Sequence, residues 1–269
     1  MRNNTKYLQI AAYVLLVCIL VIAIGVFRDC QRVHIEAPEG FSKGDTLDVA
    51  LIYGPGGYYI YGDTLAGINL EIARNYSDST GLPVKIWPIS QPSVGMEKLQ
   101  SGAFDIIASL PLDNYIKSNF GVSESIFLDR LVLIQLTDSV DGEKVVKSSL
   151  DLDGREVTVT KGSSAIQRLQ NLSEEIGGNI TITESPDLSD ELITLQVALG
   201  SIPLAVVNER VAKTLAKDYP NLTYDNSVSF TQFQVWVFNK GDSVGEQGFN
   251  RWFDKFRDTE TYRSILKKY

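Results

Sequence analysis

The residues that could do chemistry are few, and their types exclude most catalysis. The one histidine is His34 and the two cysteines are Cys18 and Cys30, so no imidazole or thiol follows residue 34. A zinc centre and a histidine-based triad therefore lack their reagents, and no cofactor is expected. Asp187, Asp190 and Glu191 crowd one stretch, but acids at a helix start mostly serve its dipole. No nucleophile stands beside a base, so no enzymatic activity is expected. Binding chemistry is better supplied. Lys161-Gly162-Ser163-Ser164 ends a β-rich run and opens a helical one, where free backbone N–H groups attract an anion such as a carboxylate. The same four residues also read as a glycine turn with an N-cap serine. Tyr58, Tyr59 and Tyr61 follow a Gly-rich turn and offer an aromatic wall. Ser109 closes a strand and Lys117 lies beyond it, a hydroxyl and a charge for a polar ligand. Asn208 and Glu209 close another strand, although both are also ordinary helix-start residues. Gln232 and Gln234 lie in a late connecting stretch.

The elements that must position these residues alternate. Leu47–Tyr53 is a strand ended by Gly54-Pro55-Gly56-Gly57. Gly67–Thr80 has Ile68, Ile72 and Tyr76 at helical spacing, with Gly81 as C-cap. Val84–Ile89 is a strand, Val94–Gly102 a helix, and Phe104–Leu110 a strand apolar enough to be covered on both faces. Ile126–Leu136 reads as one further strand. A second series follows: strand Glu156–Thr160, helix Ser164–Ile176, strand Ile180–Thr183, helix Asp190–Leu199, strand Leu204–Val207 and helix Glu209–Tyr219. Strand Val235–Phe238 and one amphipathic helix over Phe249–Lys268 close the chain. This is an α/β pattern in two halves. Lobe 1 is expected over 46–136 and 229–269, and lobe 2 over 137–228, with two hinge crossings between them.

The 269 residues are 44% hydrophobic and 22% charged, which excludes disorder, collagen and coiled coil. Ile10–Phe27 is an apolar run of about 27 Å as a helix, close to a bilayer core, and Arg2 and Lys6 precede it. Residues 1–29 are therefore expected to be an uncleaved membrane anchor and 30–45 a tether, with the body in the periplasm at the inner membrane. The rival is a cleaved signal peptide, although Arg28-Asp29-Cys30 offers no small-residue cleavage site. The chain carries 25 basic and 33 acidic residues, a net charge of −8. That acidic balance disfavours nucleic acid as a partner.

Five segments, in this order, carry a family resemblance: LDVALIYGPGGYYIYGDTLAGINLEIA, EKLQSGAFDIIAS, DLDGREVTVTKGSSAIQRL, LAVVNERVAKTLAKDYPNLTYDNSVSFTQFQVWVFNK and the closing helix. Together they resemble family 3 of the extracellular solute-binding proteins, which has the type II periplasmic-binding-protein fold. Within it they look most like the substrate-binding-like module of membrane-bound lytic transglycosylase F, without the catalytic domain. The resemblance implies a two-lobed clamp around a small polar ligand. It also implies an arginine for the ligand carboxylate after the third strand, where this chain has Ile116 and then Lys117. It implies an aspartate for the ligand ammonium after LAVV, where this chain has Asn208 and then Glu209. Both departures argue against a plain α-amino acid. The expected function is a membrane-anchored solute-binding or sensing module. It would take a peptide, a cell-wall fragment or an amino-acid-like ligand, with a periplasmic or inner-membrane protein reading the closed state. The alternatives are an importer's binding protein for amino acids, a small enzyme using Glu209 and Lys117, and a ligand-free assembly domain.

Overall fold

The computed structural model describes residues 46–61, 63–138 and 144–269. The expected anchor and tether lie outside these residues, and no described helix is long and apolar enough to cross a membrane.

Two sheets organise the chain. The first contains β1 (Leu47–Ile52), β4 (Val84–Ile89), β5 (Ile106–Pro111), β6 (Gly121–Val122), β7 (Phe127–Asp129) and β13 (Gln232–Phe238), in the order β4-β1-β5-β13-β6, with β7 also paired to β13. β4, β1 and β5 are parallel, and β13 runs antiparallel to β5. The second contains β8 (Leu131–Leu136), β9 (Glu156–Thr160), β10 (Thr181–Ser185), β11 (Ala205–Asn208) and β12 (Leu222–Ser227), in the order β10-β9-β11-β8-β12. A small hairpin joins β2 (Tyr59–Tyr61) to β3 (Thr64–Ala66).

Period-2 alternation fills both faces of the first sheet. Leu47, Val49 and Leu51 of β1, with Trp236 and Phe238 of β13, face α1 (Ile68–Thr80) and α7 (Ser243–Phe256). Ala50, Ile107, Val235 and Val237 face the opposite way, toward α2 (Pro92–Gln100) and α3 (Asn114–Asn119). The aromatic stripe Phe249, Trp252, Phe253 and Phe256 is buried, with Trp252 stacked on Phe256 at 4.5 Å between centroids. The second sheet follows the same rule. Leu131, Leu133, Val157 and Val159 face α4 (Ser164–Ile176), while Val132, Ile134, Ala205 and Val207 face α5 (Asp190–Ala198) and α6 (Glu209–Leu215).

The elements depart from sequence expectation at the first crossing and at the closing helix. Ile126–Leu136 is two strands in different sheets, because the chain crosses at Asp129–Arg130. β8 therefore belongs to the second sheet rather than to lobe 1. The return crossing lies between β12 and β13, where Val228 and Ser229 donate to the Leu131 carbonyl. The closing helix is two helices, since Thr259 caps α8 (Glu260–Lys268) by accepting from Tyr262 N at 3.2 Å. An apolar stripe continues across that break, which hides it from periodicity.

Candidate functional site

The carboxyl ends of both sets of parallel strands face one another across a cavity of about 640 Å³, the position at which open α/β sheets bind ligands. That volume lies in the ordinary range for small-molecule pockets, roughly 300–1,000 Å³. The lobes touch around it. A Cβ added to Gly162, from the second lobe, would lie 2.8 Å from Ser93 Cβ at the start of α2. One added to Gly54, after β1, would lie 3.5 Å from Val211 Cγ2 on α6. The two lobes thus approach closely beside the cavity.

Local folding explains the lining. The Gly54–Gly57 turn is tied down by α1, whose Ile68, Asn69 and Leu70 N–H groups donate to the carbonyls of Pro55, Gly56 and Gly57. Buried Asn69 reinforces it, donating to Gly56 O and accepting from Trp236 Nε1. Those N–H groups are consumed within the protein. At α4 the arrangement differs: Ser163 occupies the N-cap with extended backbone but makes no side-chain cap bond. Ser164 and Ala165 of that first turn line the cavity, while Ile166 N donates to Ser163 O at 3.3 Å. Ser109 is the extra residue of a β-bulge, since Val235 pairs with Leu110 and Trp236 with Ala108. Its φ of 72° is the one positive value at a described non-glycine residue. Such bulges re-aim side chains beside functional sites.

Five expected site residues line the cavity: Ser109, Gly162, Ser163, Ser164 and Asn208. Four are placed elsewhere, and Tyr61 is described by its backbone pairing alone. Tyr58 packs on the first core, with its ring centroid 6.4 Å from that of Tyr53. Tyr59 stands edge-on to Tyr269, and Tyr61 pairs with Thr64 in the hairpin. Lys117 is exposed on the last turn of α3, and Lys161 is exposed at the end of β9. The tyrosine lining the cavity is instead Tyr53, beside the turn. Of the two residues proposed for an acid–base pair, Glu209 is bound to Arg130 and Lys117 is exposed on α3.

Other lining residues escaped sequence reasoning. Asp190 looked like a helix-dipole acid, but its carboxylate accepts from Thr160 Oγ1 at 2.6 Å, Asn208 N at 3.1 Å and Asn208 Nδ2 at 3.0 Å. It ties the ends of β9 and β11 together, and burial pushes its pKa up against those three bonds. Asp129, at the crossing, is buried, and burial pushes its carboxyl up to about 6 despite the Arg130 N–H and the nearby Arg210 charge. Arg210 lies 4.9 Å over the Phe127 ring and donates to Leu128 O at 3.3 Å. Ile116 is buried and lines the cavity at the position where the family resemblance placed an arginine. Three lining residues hold fully buried polar atoms without a hydrogen-bond partner: Ser163 Oγ, Arg210 Nε and Gln234 Nε2. Such atoms are costly unless something fills the need. No group of three or more His, Cys, Asp or Glu among the described residues could hold a metal ion.

Solved structures share this architecture along nearly their whole length. An ancestral arginine-binding protein bound to arginine matches with a TM-score of 0.72 at 20% identity, covering 84% of this chain and 98% of its own. A histidine kinase sensor domain with similarity to periplasmic binding proteins also matches at 0.72, with 18% identity and coverage of 85% and 97%. The fold is that of the type II periplasmic binding proteins. Sequence relatives of this periplasmic-binding-protein fold include the membrane-bound lytic murein transglycosylase F of Aeromonas hydrophila, 27% identical over 195 residues, 72% of this chain. The namesake of Methylobacillus flagellatus is 22% identical over 246 residues, 87% of this chain. The chain spans 38% of the first relative and 50% of the second. No protein-family model matches it.

Proposed function

We propose that the protein is a membrane-anchored periplasmic module that clamps a small polar ligand between its two lobes and presents the closed state to a protein partner. The observation that carries this reading is the interlobe cavity, whose buried polar atoms on Ser163, Arg210 and Gln234 lack partners. A ligand favours closure only by its greater affinity for the closed form. The apolar run over residues 10–27 supplies the proposed anchor. The proposed contacts are Ser109, Gly162, Ser163, Ser164 and Asn208 from the sequence, joined by Tyr53, Asp129, Arg210 and Gln234. No catalysis is assigned to the chain itself.

The test is a thermal-shift screen of the full-length chain against amino acids, short peptides and peptidoglycan fragments. A ligand at 100 times its dissociation constant adds about 2.7 kcal/mol of stability. Ser163→Ala and Asn208→Leu should each weaken that shift. A screen in which no compound moves the melt turns the reading toward a ligand-free assembly domain.

A further inference from the structure

The cavity's hydrogen-bond inventory is one-sided. Its acids are served by the protein: Asp190 accepts three bonds, Asp129 accepts from Arg130 N at 2.9 Å, and Asp113 accepts from Ile116 N at 2.7 Å. Its unmet buried groups are two donors, Arg210 Nε and Gln234 Nε2, and the Ser163 hydroxyl, which can donate or accept. The fully buried unpartnered acceptors among the described residues, Glu191 Oε2 and Gln232 Oε1, belong to residues that do not line it. Gln234 is only 4% exposed, and Arg210 is the one cationic side chain among the described lining residues. Both sit by the crossing strands: Gln234 pairs with Phe127 in the ladder, and Arg210 lies over the ring of Phe127.

Resting on the clamp reading, we propose that Arg210, Gln234 and Ser163 form a carboxylate anchor beside the hinge. The ligand is then a carboxylate gripped from the second lobe and the return strand, not from the turn after β5. A guanidinium and two neutral donors suit a carboxylate's two oxygens. Asp190 and Asp129 are engaged within the protein, while the exposed Asp113 accepts only from Ile116 N and keeps acceptor sites for a ligand ammonium, so the anchor takes an amino acid or an acid whose nitrogen is acylated. The acids beside the anchor set a condition. Asp129 shares the Arg210 charge and also faces Arg130 and Glu209, so its ionised form competes with the ligand and its protonated form does not.

The test is calorimetry of the full-length chain with matched acid and amide probes. The pairs are L-arginine and L-argininamide, N-acetyl-L-alanine and N-acetyl-L-alaninamide, and L-alanyl-L-alanine and its amide. At least one acid should bind about tenfold or more tighter than its amide, a difference that Arg210→Gln abolishes and Arg210→Lys partly keeps. If Arg210→Gln misfolds by circular dichroism, Gln234→Leu and Ser163→Ala should each weaken the acid several-fold and spare the amide. Acid affinity should rise about tenfold from pH 7 to pH 5, as Asp129 takes its proton, and Asp129→Asn should flatten that profile. Equal binding within every pair, or a preference that survives Arg210→Gln, overturns the anchor but leaves the clamp standing. No binding by any probe at millimolar concentration overturns the clamp and the anchor with it.

Discussion

Asp129 shows how much burial can weigh against favourable contacts. Its carboxyl titrates near 6 although a backbone N–H and the Arg210 charge both favour its ionised form. An unfolded aspartate titrates near 4, so the folded state holds this proton more tightly. The stability due to that proton is complete below about pH 4 and is lost as pH rises through 6. Wild type should therefore lose about 2–3 kcal/mol relative to Asp129→Asn between pH 4 and pH 7, read from urea denaturation of both proteins at each pH. A pH-independent difference would show that burial is not the controlling factor. The neighbouring acid teaches the converse lesson. Asp190 sits at a helix start, where its type alone suggests a dipole partner, yet its oxygens go to Thr160 and Asn208. Those partners lie 30 and 18 residues away along the chain, so no local pattern announces them.

Single turns decide how the elements meet. Gly162 takes a φ of 72° and brings the start of α4 against Ser93 on the other lobe, while Gly177 takes a φ of 63° at the end of α4 with nothing within 4 Å. Alanine at either site should cost about 1 kcal/mol of stability, since both turns need a left-handed residue. Gly162→Ala should in addition weaken ligand binding about tenfold by holding the lobes apart, while Gly177→Ala leaves affinity unchanged. Calorimetry beside urea titration separates the two effects, and equal affinities would mean that the Gly162 approach does not limit closure. Elements with a strong period were legible: Gly81 caps α1 in the left-handed conformation as its position suggested. Breaks within apolar runs were not, because the charged Asp129–Arg130 and the polar Arg257–Thr259 are short enough to read as polar positions of one continuing element, and only the strand pairing and the Thr259 cap show that each ends an element.

The molecule has separate cores for its two sheets, joined through two adjacent crossing strands. Leu169, on α4, is fully buried in the second of these. Leu169→Ala should cost about 2–5 kcal/mol and speed amide exchange in β9, β10 and β11, while β1, β5 and β13 keep their protection. Hydrogen exchange by mass spectrometry reads this strand by strand, and uniform acceleration would show that both lobes open as one cooperative unit. The sequence by itself determined the α/β class, the order of most strands and helices, the second-lobe turn at Gly162–Ser164 and that no cysteine or histidine follows residue 34. Each of these depends on local composition, periodicity or glycine geometry. Only the tertiary structure decided which residues share the cavity. It moved Tyr58, Tyr59, Lys117 and Lys161 away from the lining, brought in Asp129 and Arg210, and placed Gln234, which the sequence marked only as a polar residue of the crossing, in the wall. The physical reason is that the crossing strands are set by long-range pairing, Gln232 with Asp129 and Gln234 with Phe127. Which polar atoms remain unpartnered depends on every element packed around them.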